Sequence, residues 1–139
     1  MVKKILIFIG FLLLLLSSVS AYDNNMTIPD DYFIVNETDN FTIMQSDDNH
    51  SISICRMDND TDRDLLKYLL EKSMYDFTYT SNYTKGDFDI EENHYNQEYQ
   101  RGILYLCNNG DELIVIDYKV PVIEEIEDSP VGIILDGLE

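Results

Sequence analysis

The sequence predicts an α+β fold: an antiparallel β-sheet with a long helix on one face and a short C-terminal helix on the other. Three observations predict it. Short β-prone runs of alternating polarity are separated by clusters of Asn, Asp and Gly. One internal stretch switches to helical period, and the C-terminal stretch takes up that period again.

In chain order, YFIV (32–35) and FTIM (41–44) flank the turn chemistry of NETDN and read as a hairpin, and SISIC (51–55) adds a third strand with Ile52 and Ile54 on one face. From Asp62, Leu65, Leu66, Leu69 and Leu70 recur at helical spacing, with Met74 extending the stripe and Glu71 and Lys72 on the wet side. This is the expected long helix. Residues 79–84, 88–93 and 100–107 read as strands, and Asn109-Gly110 turns the last of them into a strand over 112–120. Ser129 as N-cap and Pro130 at the first helical position open the C-terminal helix, whose Val131, Ile134, Leu135 and Leu138 fall at i, i+3, i+4 and i+7. In the late hairpin Leu104, Leu106, Leu113 and Val115 oppose Ile103, Tyr105, Ile114 and Ile116. Both faces of the sheet are apolar there, and each needs a cover.

This order of elements, with GDFDIEENHY from Gly86 to Tyr95 ahead of a long hairpin and a helix at the end, resembles the PsbP-like α/β/α sandwich. The resemblance implies a sheet between helices. It also implies a role as an extracytoplasmic or nuclear binding or assembly factor, since that fold does not define one enzyme family. In composition the chain resembles small, acidic, asparagine-rich secreted proteins of methanogenic archaea, a group with no assigned function.

The N-terminus reads as an export signal over residues 1–21: Lys3 and Lys4, an apolar run from Ile5 to Leu16, and Val19-Ser20-Ala21 as the cleavage site. A helix of that run is about 18 Å long, short of the roughly 30 Å hydrocarbon core. The membrane is therefore met only through the signal peptide before cleavage between Ala21 and Tyr22. Beyond the cleavage site lie a polar tail (22–30) and one domain (31–139), expected to be secreted or at the cell surface. The leader carries two lysines and no acid, so the net charge of −18 becomes −20 in the mature chain. A field of that sign repels nucleic acid and anionic lipid.

Cys55 and Cys107 are compatible with one disulfide, closing a loop of about 50 residues and worth roughly 4 kcal/mol in the chain-entropy model, or with two buried thiols. In MDNDTDRDLL (57–66), Asp58, Asp60, Asp62 and Asp64 have the spacing of a calcium loop. Arg63 stands where the loop needs glycine and Leu69 where it needs a bidentate glutamate. Thr61 with Asp64 reads instead as a helix cap, and no metal site is expected.

Six of the eleven asparagines are N-x-[ST] acceptors, namely Asn25, Asn36, Asn40, Asn49, Asn59 and Asn82. Random placement would give about one, and the six read as lying in the tail or in turns. His50 and His94 lack metal-pair spacing, and no phosphate loop or nucleophile elbow is present. No catalytic, cofactor or metal residue is assigned. Residues 85–139 lack acceptors, so Tyr95, Tyr99, Tyr105 and Tyr118 read as a sugar-free contact surface. The expected function is that of a secreted, acidic, N-glycosylated interaction domain without catalysis, binding a protein or a cell-envelope polysaccharide and not nucleic acid. The alternative is an extracytoplasmic hydrolase or a divalent-metal-dependent enzyme.

Overall fold

The structure is a computed structural model that describes residues 27–57, 66, 71, 75–126 and 128–138. Among the described residues, seven strands, β1(Tyr32–Glu37), β2(Phe41–Ser46), β3(Ser51–Met57), β4(Asp76–Lys85), β5(Phe88–Asn96), β6(Gln100–Asn108) and β7(Leu113–Pro121), precede the helix α1(Val131–Asp136). They form a single antiparallel sheet in the order β1-β2-β3-β7-β6-β5-β4. Two meanders, β1-β2-β3 and β4-β5-β6-β7, are thus joined edge to edge by β3 and β7. Ser51 pairs with Lys119 at one end of that seam and Met57 with Leu113 at the other.

β7 lies at the centre because it can be buried on both faces, and its first eight residues are buried in succession. On the helix side of the sheet, Met44, Ile52, Ile54, Ile90, Ile103, Ile114, Ile116 and Val120 pack with Val131, Ile134 and Leu135 of α1. On the other side, Phe41, Cys55, Met57, Tyr95, Leu104, Leu113 and Val115 pack with Leu66. The parity read in the late hairpin is the parity of these two clusters.

The α+β expectation is corrected: among the described residues the molecule is mostly a seven-stranded antiparallel sheet with one short helix, not a sandwich with a long helix on one face. Of the stretch from Asp62 to Met74, only Leu66 and Glu71 are among the described residues; both are helical, and Leu66 is buried. The strands also run longer than their apolar alternation. β4 spans ten residues and β5 nine because backbone pairing continues through polar positions such as Asp76 to Asn96 and Thr80 to Asn93. Residues 1–26, with the export signal, and the capping and calcium-loop residues Asp58 to Asp64 lie outside the described residues.

α1 starts one residue later than expected, after Pro130. The Ser129 hydroxyl nevertheless accepts the Val131 N–H at 3.2 Å and a hydrogen bond from the Tyr105 hydroxyl at 2.8 Å. It thereby ties the helix start to β6. Gly110, at φ 96°, supplies the left-handed residue of the β6–β7 turn, which Asn108 and Asn109 close with side-chain bonds to the backbone.

Candidate functional site

The residues singled out from the sequence do not gather in one place. Cys55 and Cys107 are both buried, Cys55 in the cluster on one face of the sheet and Cys107 in the cluster on the other. A disulfide between them is excluded by the sheet itself. Burial pushes the Cys107 thiol up to about 12, so it is protonated and inert at neutral pH. Of the four contact tyrosines, Tyr95, Tyr105 and Tyr118 are buried, and only Tyr99 is exposed, at 51%. That surface is corrected to Tyr99 alone among the four, because both faces of the sheet are covered there: Tyr105 and Tyr118 pack on the helix side and Tyr95 on the other.

The acceptor asparagines also divide. Asn40 is only 3% exposed, so the folded chain cannot present it to a transferase. Asn49 is exposed in the β2–β3 turn at φ 63°. Asn36 and Asn82 are exposed but lie within β1 and β4, not in turns. Asn25 and Asn59 lie outside the described residues. Among the described residues, no cluster of three or more His, Cys, Asp or Glu could hold a metal ion.

A polar network that the sequence did not reveal crosses the sheet on the side away from α1. Tyr95 donates to Asp117 Oδ1 at 2.6 Å and Tyr75 to Oδ2 at 2.9 Å. Lys119 Nζ lies 3.7 Å from that carboxylate and 5.3 Å from the centre of the Tyr75 ring. Tyr95 reaches from β5 over β6 to β7 because its partner across the ladder is Gly102. A Cβ there would collide with the Tyr118 carbonyl oxygen and lie 2.7 Å from Tyr95 Cζ. Tyr75 and Phe77 then stack against Tyr95, with centroids 4.4 and 6.0 Å away. Burial, then the Asp117 charge, raises the pKa of both Tyr75 and Tyr95, while burial lowers that of Lys119 against the opposing pull of Asp117. Asp117 and Lys119 are themselves buried. The network orders the sheet, and Tyr95 and Gly102 also border the polar cleft around Arg101.

The arrangement that is open to a ligand lies at the same end of the strands, on the helix side. Thr78, His94, Asn96, Arg101, Glu125 and Ile126 line a polar cleft of about 400 Å³. His94 faces Glu92 at 2.8 Å, and Glu92 also accepts from Tyr83 at 2.8 Å, which fixes the imidazole. The Tyr79 ring, 60% exposed, stands edge-on to His94 with centroids 5.4 Å apart. Arg101 Nε is buried yet has no hydrogen-bond partner among the described residues, and the adjoining turn holds two more such atoms, Gln97 Oε1 and Gln100 Oε1. A bond from Val122 N–H to the Tyr99 carbonyl at 3.0 Å ties the chain after β7 to this turn. Exposed Tyr99 and Ile123 thus belong to the same end of the molecule. A larger hollow, about 550 Å³, lies on the opposite face around Leu106, edged by Asn82, Asp89 and Glu91; its lining is mostly apolar.

The other described cations have acidic partners: Arg56 with Glu112, Lys85 with Asp136 and Lys119 with Asp117. Arg101 has no carboxylate within ion-pair distance among the described residues. A signal for it did exist in the sequence, since Arg101 stands in the strand reading of 100–107. Nothing there showed that the cleft would form around it, because β4 and the chain after β7 reach it only through the sheet order. No protein-family model matches the chain, and no curated protein is significantly similar to it.

Proposed function

We propose that the chain is an extracytoplasmic, non-catalytic binding domain whose ligand is a saccharide of the cell envelope, held in the cleft of Thr78, His94, Asn96, Arg101 and Glu125. The observation that carries the reading is Arg101. Arg101 is only partly buried and lines the cleft, and a guanidinium without a carboxylate partner among the described residues is a ready donor to the oxygen atoms of a ligand. The neighbouring amide, imidazole, carboxylate and hydroxyl are the planar and compact polar groups that pair with sugar hydroxyls. Tyr79 and Tyr99 offer exposed rings, apolar in the body and polar at the tip, to the apolar face of a sugar. The acidic surface disfavours a dense polyanion, so the fitting ligand is neutral or bears widely spaced carboxylates.

Titration calorimetry of the mature chain with envelope polysaccharide tests this. Saturable binding is expected, weakened about tenfold or more in Arg101→Gln and Tyr79→Ala, each of which should keep its native circular dichroism. Absence of binding, or equal binding by both variants, overturns the assignment. Release of new reducing ends during incubation would make the chain a hydrolase.

A further inference from the structure

Among the described residues the sheet has two open edges, and each is a stretch of backbone that could template another strand. β1 and β4 end the strand order, so among the described residues one row of N–H and C=O groups on each has no partner strand. Both strands are largely exposed along their length. β1 carries Phe33, Ile34 and Val35, each at least 39% exposed, and β4 carries Phe77 and Tyr79.

The usual protections are thin here. Neither strand contains proline, and the one lysine, Lys85 at the end of β4, is paired with Asp136. YFIVN (32–36) and FTYTSNYT (77–84) are uncharged, β-prone and free of proline and glycine, the composition that pairs readily with copies of itself. A single irregularity interrupts each, near Val35 and near Thr78. The net charge of the molecule opposes association over distances that salt screens, and on the edge strands it is confined to their ends, at Glu37 of β1 and Asp76 of β4.

Each of these two segments contains one exposed N-x-[ST] acceptor, Asn36 ahead of Thr38 and Asn82 ahead of Thr84. The five interior strands contain none, although β5 and β6 hold Asn93, Asn96 and Asn108. Among the described residues neither the Asn36 nor the Asn82 amide makes a hydrogen bond, so both are available to a transferase. We infer that Asn36 and Asn82 are N-glycosylated and that the glycans guard the two sheet edges against pairing between copies of the chain. In the modification the amide Nδ2 attacks the anomeric carbon of a lipid-phosphate-linked glycan. The C–N bond forms and the anomeric C–O bond breaks. The amide loses one proton, and the lipid phosphate leaves with the electron pair. A bulky hydrated chain on the outermost strand then obstructs any strand approaching its open side. The glycans thus lie at both ends of the sheet, so residues 85–139 are not a uniformly bare half: β4 borders β5.

This inference rests on export of the chain, and one measurement reads the two separately. Intact mass and glycopeptide mapping of protein from its native cells should show a chain beginning at Tyr22 with sugar on Asn36 and Asn82. Light scattering and a fibril-binding dye then monitor the double variant Asn36→Gln/Asn82→Gln made in the same cells, with Asn49→Gln in the β2–β3 turn as control. The double variant is expected to self-associate about tenfold faster than the control. Thr84→Ala removes the Asn82 acceptor while keeping the asparagine, and should likewise speed association. A cleaved chain bare at both positions overturns the inference and leaves export standing. A sugar-free chain that still begins at Met1 overturns both. A glycosylated chain whose double variant stays as dispersed as the control overturns the guarding role.

Discussion

Gly102 shows how a single position organises the interior. Its missing side chain is the space through which Tyr95 passes to bond Asp117, so substitution and network are coupled. Gly102→Ala is expected to cost about 2–4 kcal/mol, because a methyl must displace either the Tyr118 carbonyl or the Tyr95 ring. Tyr95→Phe, which strands one Asp117 oxygen, is expected to cost about 1–3 kcal/mol. In urea unfolding the double variant should fall short of the sum, since both changes break the same contact; strict additivity would show the two residues to be independent. The cysteines supply a second prediction at this scale. Cys55 and Cys107 should both resist a thiol reagent in the folded chain and both react once it is unfolded. The unreduced, unfolded chain should show no internal bridge by mass. The Gly102–Tyr95 contact is not legible in the sequence: a glycine in a strand pattern and a tyrosine in another do not announce that the register will place them opposite each other.

At the scale of elements, the strands are legible because alternation and turn residues are local signals. The late hairpin shows both of its faces in the sequence because the parity of nine-residue strands is unambiguous once Asn109-Gly110 sets the turn. β4 reads shorter than it is, since most of its residues are exposed and an edge strand has no buried face to impose a pattern. α1 is legible from caps and spacing, but its anchor is not: Tyr105 on β6 donates to the same Ser129 hydroxyl that accepts the Val131 N–H. Ser129→Ala should therefore destabilise by about 1 kcal/mol. A double-mutant cycle with Tyr105→Phe should return a coupling of about 0.5–1.5 kcal/mol. A coupling of zero would mean that the helix start and β6 are held by packing alone.

For the whole molecule, the buried tyrosines govern behaviour at high pH. Burial raises the pKa of Tyr75, Tyr95 and Tyr105, with the Asp117 charge adding to it for the first two. The folded chain thus keeps protons that the unfolded chain releases above about pH 10. Their contribution to stability is complete below that pH and is lost as pH rises towards the folded values. Lys119 has the opposite sign, because burial pushes its pKa down; between its folded value and the ordinary value near 10.4, the unfolded chain binds the extra proton and stability rises with pH. Above about pH 10 the three phenols outweigh one amine, and stability should fall. The tyrosinate absorbance of the buried rings should then appear in one cooperative step coincident with loss of the β-sheet circular dichroism signal. Gradual ionisation of every ring ahead of unfolding would count against this account.

The sequence by itself determined the strand segments, the α1 stretch, the apolar character of both faces of the late hairpin, the net charge and the positions of the acceptor asparagines. Each is a property of one residue or of a short window. Only the tertiary structure decided that the sheet dominates the described molecule, that β1 and β4 are its edges, that the two thiols face opposite ways, and that three of the four contact tyrosines are buried. It also brought Thr78, Arg101 and Glu125 to one cleft. The physical reason is range. Alternation and capping act between neighbours in the chain, whereas strand order, register and the facing of a side chain depend on contacts such as Ser51 with Lys119, which close only when distant segments compete for the same hydrogen bonds and the same apolar cover.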